Sequence, residues 1–217
     1  MLVQYYPRMY QENILHINTL RQNQAPIVYD KQSKIVSLYT KKWSDAADED
    51  FVVIDIETTG LNKVYDRIVE VAAIRYVNGV EFGKFATLVN PQMPIPPDAQ
   101  AIHGISNAMV RNSPTIEAVL PSLLRFLEGK LLCGHNVNFD IGFLEVCARR
   151  LGCSPIWNYI DTISVAKKLV PGLPNYKQKT ILDALGYRQS QYHRAEADCR
   201  GCAHIMTLAL NSLAGQH

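Results

Sequence analysis

Two acidic residues interrupt an apolar segment of the chain. Residues 51–60 read FVVIDIETTG, in which Asp55 and Glu57 stand among aliphatic residues. Because successive side chains of a strand point to opposite faces, positions two apart share one face. The two carboxylates are therefore predicted to be neighbours at the end of a strand. Their mutual repulsion is costly unless a proton or a metal cation offsets it.

Two further acids and a histidine stand near the starts of predicted helices. Asp140 lies in GHNVNFDIGFL, just after a short apolar strand, where an acid also suits the helix dipole. Asp198 lies one turn into the final helix, in HRAEADCR, where small neighbours indicate a packed turn. His193 precedes Asp198 by five residues, although a lone histidine is commonly only a surface or core residue.

Together these groups favour one kind of chemistry. Carboxylate oxygens are the ligands that Mg²⁺ prefers in proteins, and such an ion also retains water and substrate phosphate oxygens. Two ions about 4 Å apart can clamp the attacking and leaving oxygens of a phosphoryl displacement. A histidine can take the proton of the attacking water near neutral pH. The set therefore predicts phosphodiester cleavage.

The elements that must position these residues follow from the hydrophobic pattern. Strands are predicted at 51–57, 67–77 and 81–90, the last two joined by an Asn78-Gly79 turn, and again at 130–136 and 156–161. The proline-rich segment 91–98 is predicted to be a loop. A helix is expected to start at Ser113-Pro114, with Pro121 kinking it or shifting its beginning, and further helices are expected at 138–152, 164–170, 180–187 and 194–214. This order predicts an α/β fold with a mixed five-stranded sheet, three antiparallel strands followed by two parallel ones.

Composition excludes several classes of protein. The 217 residues are 47% hydrophobic and 19% charged with a net charge of +2, which is typical of a globular protein. No apolar run is long enough to cross a membrane, and the N-terminus lacks the pattern of a secretory signal. The five scattered cysteines predict a cytoplasmic protein with reduced thiols. Cys199 and Cys202 form a CxxC, but without a second pair they are interpreted as core thiols rather than zinc ligands.

The N-terminal part of the chain differs in composition from the rest. Six basic residues fall within 1–44, and DAADED at 45–50 then supplies four acids, which indicates a linker. We therefore predict an extension over 1–49 and a main domain over 50–217. The extension is either a small element that packs on the main domain or a basic, aromatic arm that contacts nucleic acid or a partner protein.

Three ordered motifs carry a family resemblance. FVVIDIETTGL, GHNVNFDIGFL and HRAEADCR, the last with its H-x₄-D spacing, resemble the DEDDh (DnaQ-like) 3′–5′ exonucleases, the family of the epsilon proofreading subunit of DNA polymerase III. The similarity extends over about 51–212 and includes AIHGISNAMV. It does not cover the N-terminal extension. In the third motif Glu196 and Cys199 replace apolar or small residues of the family, and neither replacement removes a ligand.

The resemblance implies a fold, a reaction and a set of roles. The fold would be a ribonuclease H-like three-layer α/β/α arrangement. Asp55, Glu57 and Asp198 would hold one Mg²⁺ or Mn²⁺ ion, Asp140 would act on a second, and His193 would be the general base. The product would be a nucleoside 5′-monophosphate released from a 3′ end.

Other matching positions would contact the substrate. These are Thr58, Leu61, Asp98, His103 and Phe139. Three of them have a plain structural alternative: Thr58 could only shape the turn, Asp98 could only cap a helix, and Phe139 could belong to the core.

Three functions remain open at this point. The first is a DNA exonuclease acting in proofreading or repair, on nucleic acid with a free 3′ end and with a polymerase or another replication or repair protein as partner. The second is an RNA-trimming exonuclease of the same family, since sensing of the 2′-hydroxyl cannot be read from the motifs. The third is a module that binds nucleic acid or a polymerase without cutting. All four carboxylates are present, which favours an enzyme.

Overall fold

The structure is a computed structural model that describes residues 50–189 and 191–214, with side chains described as far as residue 212. The N-terminal extension predicted for 1–49 lies outside the described residues.

A five-stranded mixed sheet forms the centre of the described region. Its strands are β1 (Asp50–Thr58), β2 (Ile68–Val77), β3 (Val80–Leu88), β4 (Leu131–Gly134) and β5 (Tyr159–Asp161). The order across the sheet is β3-β2-β1-β4-β5. The β1–β2 and β2–β3 pairs are antiparallel, and the β1–β4 and β4–β5 pairs are parallel. This confirms the predicted fold class and the predicted mixture of strand directions.

The turn between β2 and β3 explains their antiparallel pairing. Asn78 and Gly79 both have positive φ, 51° and 74°. Two such residues in succession suit the tight turn whose twist matches that of the flanking strands. The turn therefore sets β3 beside β2, and β2 in turn pairs with β1 so that Glu57 lies opposite Glu70.

Seven helices accompany the sheet in the described part of the chain. They are α1 (Pro97–His103), α2 (Asn107–Val110), α3 (Ile116–Leu127), α4 (Asn138–Arg150), α5 (Thr162–Leu169), α6 (Gln178–Ala184) and α7 (Ala195–Ala214). None of these helices is long and apolar enough to cross a membrane.

The segment expected to be a proline-rich loop already contains the start of α1. Pro97 occupies the beginning of that helix, where its missing N–H and fixed φ are tolerated. The prolines at 94 and 96 lie before it, in the connection. Prolines there thus mark a helix start as well as a break.

The next helix begins later than the sequence suggested. Thr115, not Ser113, is the N-cap of α3, and Pro121 lies inside the helix. Thr115 forms an isolated parallel bridge with Asn90, whose N–H donates to the carbonyl of Pro114 at 2.9 Å. This pairing keeps the backbone extended through residue 115, so the helix starts only after it.

Alternate residues of β1 divide the two faces of the sheet. Val52, Ile54 and Ile56 belong to a buried cluster with apolar residues of α3 and α4. On the other face α7 packs closely enough for the Cys199 thiol to lie 3.6 Å from the carbonyl oxygens of Val53 and Ala72. Asp55 and Glu57, which alternate with the core residues, therefore project on the side of α7.

Gly134 of β4 lies close to the backbone of β1. A Cβ added there would lie 2.7 Å from the carbonyl oxygen of Ile54 and 3.1 Å from Val137 Cγ2. Gly134→Ala should therefore push the strands apart and lower the free energy of unfolding by about 1–3 kcal/mol in urea denaturation, as overpacking usually does. Gly83→Ala is the matched control, because the nearest atom to its added Cβ is Phe126 Cε2 at 3.9 Å. Equal unfolding midpoints for the two variants would contradict this account.

Candidate functional site

The predicted site residues of the first motif lie near the end of β1. Asp55 and Glu57 are half-buried, whereas the neighbouring Ile54 and Ile56 are buried in the core. Because the aliphatic residues are locked into the cluster with α3 and α4, the strand cannot slip in register without burying a carboxylate there. The core thus sets the positions of both acids.

The structure brings Asp140 against this strand. The backbone N–H of Ile56 donates to Asp140 Oδ1 at 2.9 Å, although the two residues are 84 positions apart. Asp140 is only 3% exposed. The reason is topological: β4 runs parallel to β1, so the turn after β4 delivers the first residues of α4 to the same end of the sheet as Glu57.

Asp198 and His193 reach the site from the start of α7. One ligand atom each of Glu57, His193 and Asp198 lies within 4.8 Å of the other two. Asp198 is buried and accepts a hydrogen bond from Gln189 Nε2 at 2.6 Å, whereas His193 is exposed. His193 has a φ of 58°, in the left-handed region that non-glycine residues rarely adopt.

Burial and mutual repulsion make these carboxyls hold protons strongly. The pKa of Glu57 is raised to about 8 by burial first and then by the charges of Asp198, Glu70 and Asp140. The pKa of Asp55 is raised well above its usual range by burial and then by Asp140 and Glu57.

The pKa values of the remaining two carboxyls are raised as well. Burial raises the pKa of Asp140 to about 8 although hydrogen bonds from backbone N–H groups, including that of Ile56, oppose it. Burial likewise raises the pKa of Asp198 against the opposing hydrogen bond from Gln189. Four neighbouring carboxyls of this kind ionise together near neutral pH only with a compensating positive charge, and their oxygen atoms suit a hard divalent cation.

A fifth acid at the site was not among the predicted residues. Glu70 of β2 lies opposite Glu57 and is 7% exposed. It forms an ion pair with Arg194 at 2.8 Å and so is matched by a cation of the protein itself. The signal that could have found it was present, since Glu70 stands within the apolar strand RIVEVAAIRYV just as Asp55 stands within FVVIDIE.

Two predicted substrate-contacting residues line one depression at the start of α4. Its volume is about 430 Å³, and its lining is formed by Leu61, Asn62, Lys63, Val64, Asn138, Phe139 and Phe143. Leu61 is 85% exposed, whereas Phe139 is half-buried with its ring centroid 4.9 Å from that of Phe143. An exposed leucine beside an aromatic wall is suited to contact a flat apolar group such as a nucleobase.

The loop that carries Leu61 is held by its own polar contacts. Thr58 Oγ1 donates to the carbonyl of Gly60 at 2.6 Å, which is the turn-shaping role considered for Thr58. The backbone N–H of Asn62 donates to Asp66 at 2.8 Å, and a Cβ on Gly60 would lie 2.6 Å from that carboxylate. Arg67 donates to the carbonyls of Tyr65 and Asp66, each at 2.9 Å. The exposed leucine therefore stands on a well-braced turn.

The last two predicted substrate residues lie on α1. His103 ends the helix, is 4% exposed, and its Nδ1 accepts a hydrogen bond from the N–H of Ile105 at 3.0 Å. Burial lowers the pKa of His103, while the Thr58 backbone and the Glu70 carboxylate act in the opposite direction, which places this ring beside the site. Asp98 is exposed in the first turn, where its Oδ1 accepts from the N–H of Ala99; Pro96, not Asp98, is the N-cap.

Comparison with known proteins agrees with these motifs. The family model described as Exonuclease (RNase_T) matches residues 52–206. A PolC-type DNA polymerase III of Caldanaerobacter subterraneus subsp. tengcongensis is 34% identical over 197 residues, covering 89% of this chain and 14% of that protein. The PolC-type enzyme of Thermotoga maritima is 36% identical over 163 residues, 75% of this chain and 12% of its own length. The chain thus spans about one-seventh or less of these two relatives.

Solved structures share the architecture. Exonuclease X in complex with 5′-overhanging duplex DNA aligns with a TM-score of 0.61 and 28% identity, covering 75% of this chain and 92% of that one. E. coli exonuclease I in complex with a dT13 oligonucleotide aligns with a TM-score of 0.66 at 22% identity, over 73% and 40% of the two chains, and supports the fold alone. The predicted resemblance is confirmed, and the chain belongs to the exonuclease family.

Proposed function

We propose that this chain is a metal-dependent 3′–5′ exonuclease that hydrolyses DNA from a free 3′ end and releases nucleoside 5′-monophosphates. The observation that carries the proposal is the convergence of Asp55, Glu57, Asp140 and Asp198 with an exposed histidine at one end of the sheet. Carboxylates alone would bind a cation, and the histidine adds a group that can accept a proton there.

The donor set fits Mg²⁺ or Mn²⁺, and we propose that two ions bind. Asp55, Glu57 and Asp198 would hold one and Asp140 would act on the other. The strongly raised pKa values of the acids are the supporting observation, because a cation removes the repulsion that causes part of them. When bound, such ions polarise the phosphate and stabilise the charge that develops on the oxygens of the displacement.

The protein's own groups supply the proton transfer and the fit. An imidazole nitrogen of His193 accepts the proton of the attacking water, and the exposure of this residue gives that water and the scissile phosphate access. Leu61 and Phe139 contact the terminal bases in the depression at the start of α4. Thr58, Asp98 and His103 remain proposed substrate contacts.

DNA is the favoured substrate because of what the relatives are. PolC-type proteins are named as DNA polymerases, and the structure of exonuclease X is a complex with 5′-overhanging duplex DNA. We propose residues 50–217 as the catalytic domain of a cytoplasmic enzyme, with 1–49 as an extension. A polymerase or another replication or repair protein is the proposed partner. RNA trimming is the second candidate of the same class.

End-labelled oligonucleotides test the reaction directly. With Mg²⁺ or Mn²⁺, the purified protein should shorten 5′-labelled single-stranded DNA stepwise, release the label of 3′-labelled DNA as mononucleotide, and be inactive in EDTA. His193→Ala should lower kcat by about 10²–10⁴-fold, the usual contribution of a general base. Matched RNA strands decide between the two substrates.

The control for this assay is Glu128→Gln, which removes an exposed acid that follows α3 and lies outside the three motifs. It should leave the rate unchanged. Product release from the 5′ end, or full activity in EDTA, would contradict the proposal. Faster shortening of RNA than of DNA would favour the second candidate.

In the metal-free protein, the stability of the fold should decrease as the pH rises. The pKa values of Glu57 and Asp140 are about 8 in the folded protein, well above those of an unfolded chain, so the folded state binds more protons between about pH 4.5 and 8. In EDTA the Tm should therefore fall across that window. Mg²⁺ at about 100 times its Kd should restore about 2.7 kcal/mol at the upper end, by binding only the folded state.

Asp55→Asn should separate the destabilising effect of carboxyl repulsion from the stabilising effect of metal binding. In EDTA at about pH 8 it should melt at a higher temperature than the wild type, because one source of repulsion is gone, and Mg²⁺ should stabilise it less. Glu128→Gln should follow the wild type under both conditions. A lower Tm for Asp55→Asn in EDTA would show that repulsion is not the dominant effect.

Leu61→Ala tests the depression as a substrate site. Because Leu61 is 85% exposed, its removal should leave the Tm unchanged. Loss of its apolar contact with a base should raise KM for DNA by up to about 30-fold, the equivalent of about 2 kcal/mol. Val80→Ala is the control, because it shortens an exposed aliphatic side chain of β3 that does not line the depression. It should not change KM. An unaltered KM in Leu61→Ala would remove this residue from the substrate site.

A further inference from the structure

A partly buried ion pair joins the strand opposite Glu57 to the segment that carries His193. Both carboxylate oxygens of Glu70 accept hydrogen bonds from Arg194, from Nη2 at 2.8 Å and from Nε at 3.1 Å. The backbone N–H of Ala195 donates to the same carboxylate at 3.1 Å. One side chain of β2 thus holds the residue that follows His193 and also the first residue of α7.

His193 needs such restraint because of its backbone. Its φ of 58° is in the left-handed region, where a side chain is crowded and where surrounding contacts must hold the residue in place. The restraint after His193 is the attachment of Arg194 and Ala195 to Glu70. Before it, Gln189 Nε2 contacts the carbonyl of Gln191 at 2.7 Å.

The two restraints also fix the histidine relative to the acids. Gln189 Nε2 lies 2.6 Å from Asp198 Oδ1, and Glu70 is the register partner of Glu57. His193 therefore lies between two attachments. The one before it includes Asp198, and the one after it, at Glu70, adjoins Glu57. The Arg194 guanidinium donates to both oxygens of Glu70, so this carboxylate is bound to the segment that carries His193.

We propose that Glu70 and Arg194 are positioning residues for the general base: together they hold the backbone of His193 so that its imidazole faces Glu57 and Asp198. They act through His193 and contact neither cation nor substrate. This inference rests on the function proposed above.

Kinetics of single and double variants test the inference. Glu70→Gln replaces an acceptor oxygen by a donor and removes the charge, and it should lower kcat by about 10–100-fold, as the loss of a supporting partner usually does, with little change in KM. In the His193→Ala background the same substitution should have little further effect, because its contribution passes through the histidine. Arg194→Lys, which keeps the charge but loses the two-pronged contact, should reduce kcat less and provides a second, milder variant.

Lys84→Met is the matched control. It breaks the 2.7 Å Lys84–Glu196 ion pair, which also joins the sheet to α7 but not through Glu70, Arg194 or Ala195. Its kcat should equal that of the wild type. A similar loss in Lys84→Met and Glu70→Gln would overturn the inference in favour of a general loosening of the helix, and so would full additivity of Glu70→Gln with His193→Ala.

Two readouts do not depend on catalysis. By NMR hydrogen exchange, the Ala195 amide should exchange faster in Glu70→Gln than in the wild type and in Lys84→Met, because its acceptor group loses its charge and one of its two oxygens. Stabilisation by Mn²⁺ in thermal melts should be retained, and its loss would show Glu70 to be a ligand and overturn the inference. An inactive wild type would reject the proposed function, whereas unchanged Ala195 exchange would reject the role of Glu70 even if the wild type is active.

Discussion

Repulsion among buried carboxyls is the constraint that organises this domain. Left to themselves, Asp55, Glu57, Asp140 and Asp198 would move apart, and the rest of the fold prevents it. The aliphatic face of β1 is locked between α3 and α4, the Ile56 amide holds Asp140, and a glutamine holds Asp198. The apolar core thus stabilises an arrangement that is unfavourable in the site itself, a common compromise where binding residues are concentrated.

Much of the arrangement could be predicted from local pattern. The alternation around Asp55 placed both acids of the first motif on one face, and Asn78-Gly79 identified the hairpin. Both signals depend only on residues close together in sequence, an alternation with a period of two and a single turn. They can therefore be recognised without knowledge of the fold. The fold class followed because the order of strands and helices leaves few sheets that can be built.

What could not be predicted depends on contacts between distant segments. Thr115 becomes the N-cap of α3 because Asn90 pairs beside it, and nothing near Ser113 in sequence indicates that partner. The acid at position 70 is visible within its apolar strand, but the role of Glu70 could not be predicted, because it is defined by Arg194, 124 residues later. The convergence of Asp55 and Glu57 with Asp140 and Asp198 was inferred from their residue types and from the family motifs, because spacing along the chain does not determine distance in space.

The long separation of these residues has a consequence for when the protein can act. Ile56 and Asp140 meet across 84 residues, and the third motif comes last in the described chain. Contacts of this range form late, because the entropy of closing large loops must be overcome first. A nascent chain that has completed β1 and α4 but not α7 therefore lacks Asp198. Under the proposed function, hydrolytic capacity would appear only once α7 has folded, so partly synthesised or locally opened molecules would leave nucleic acid intact.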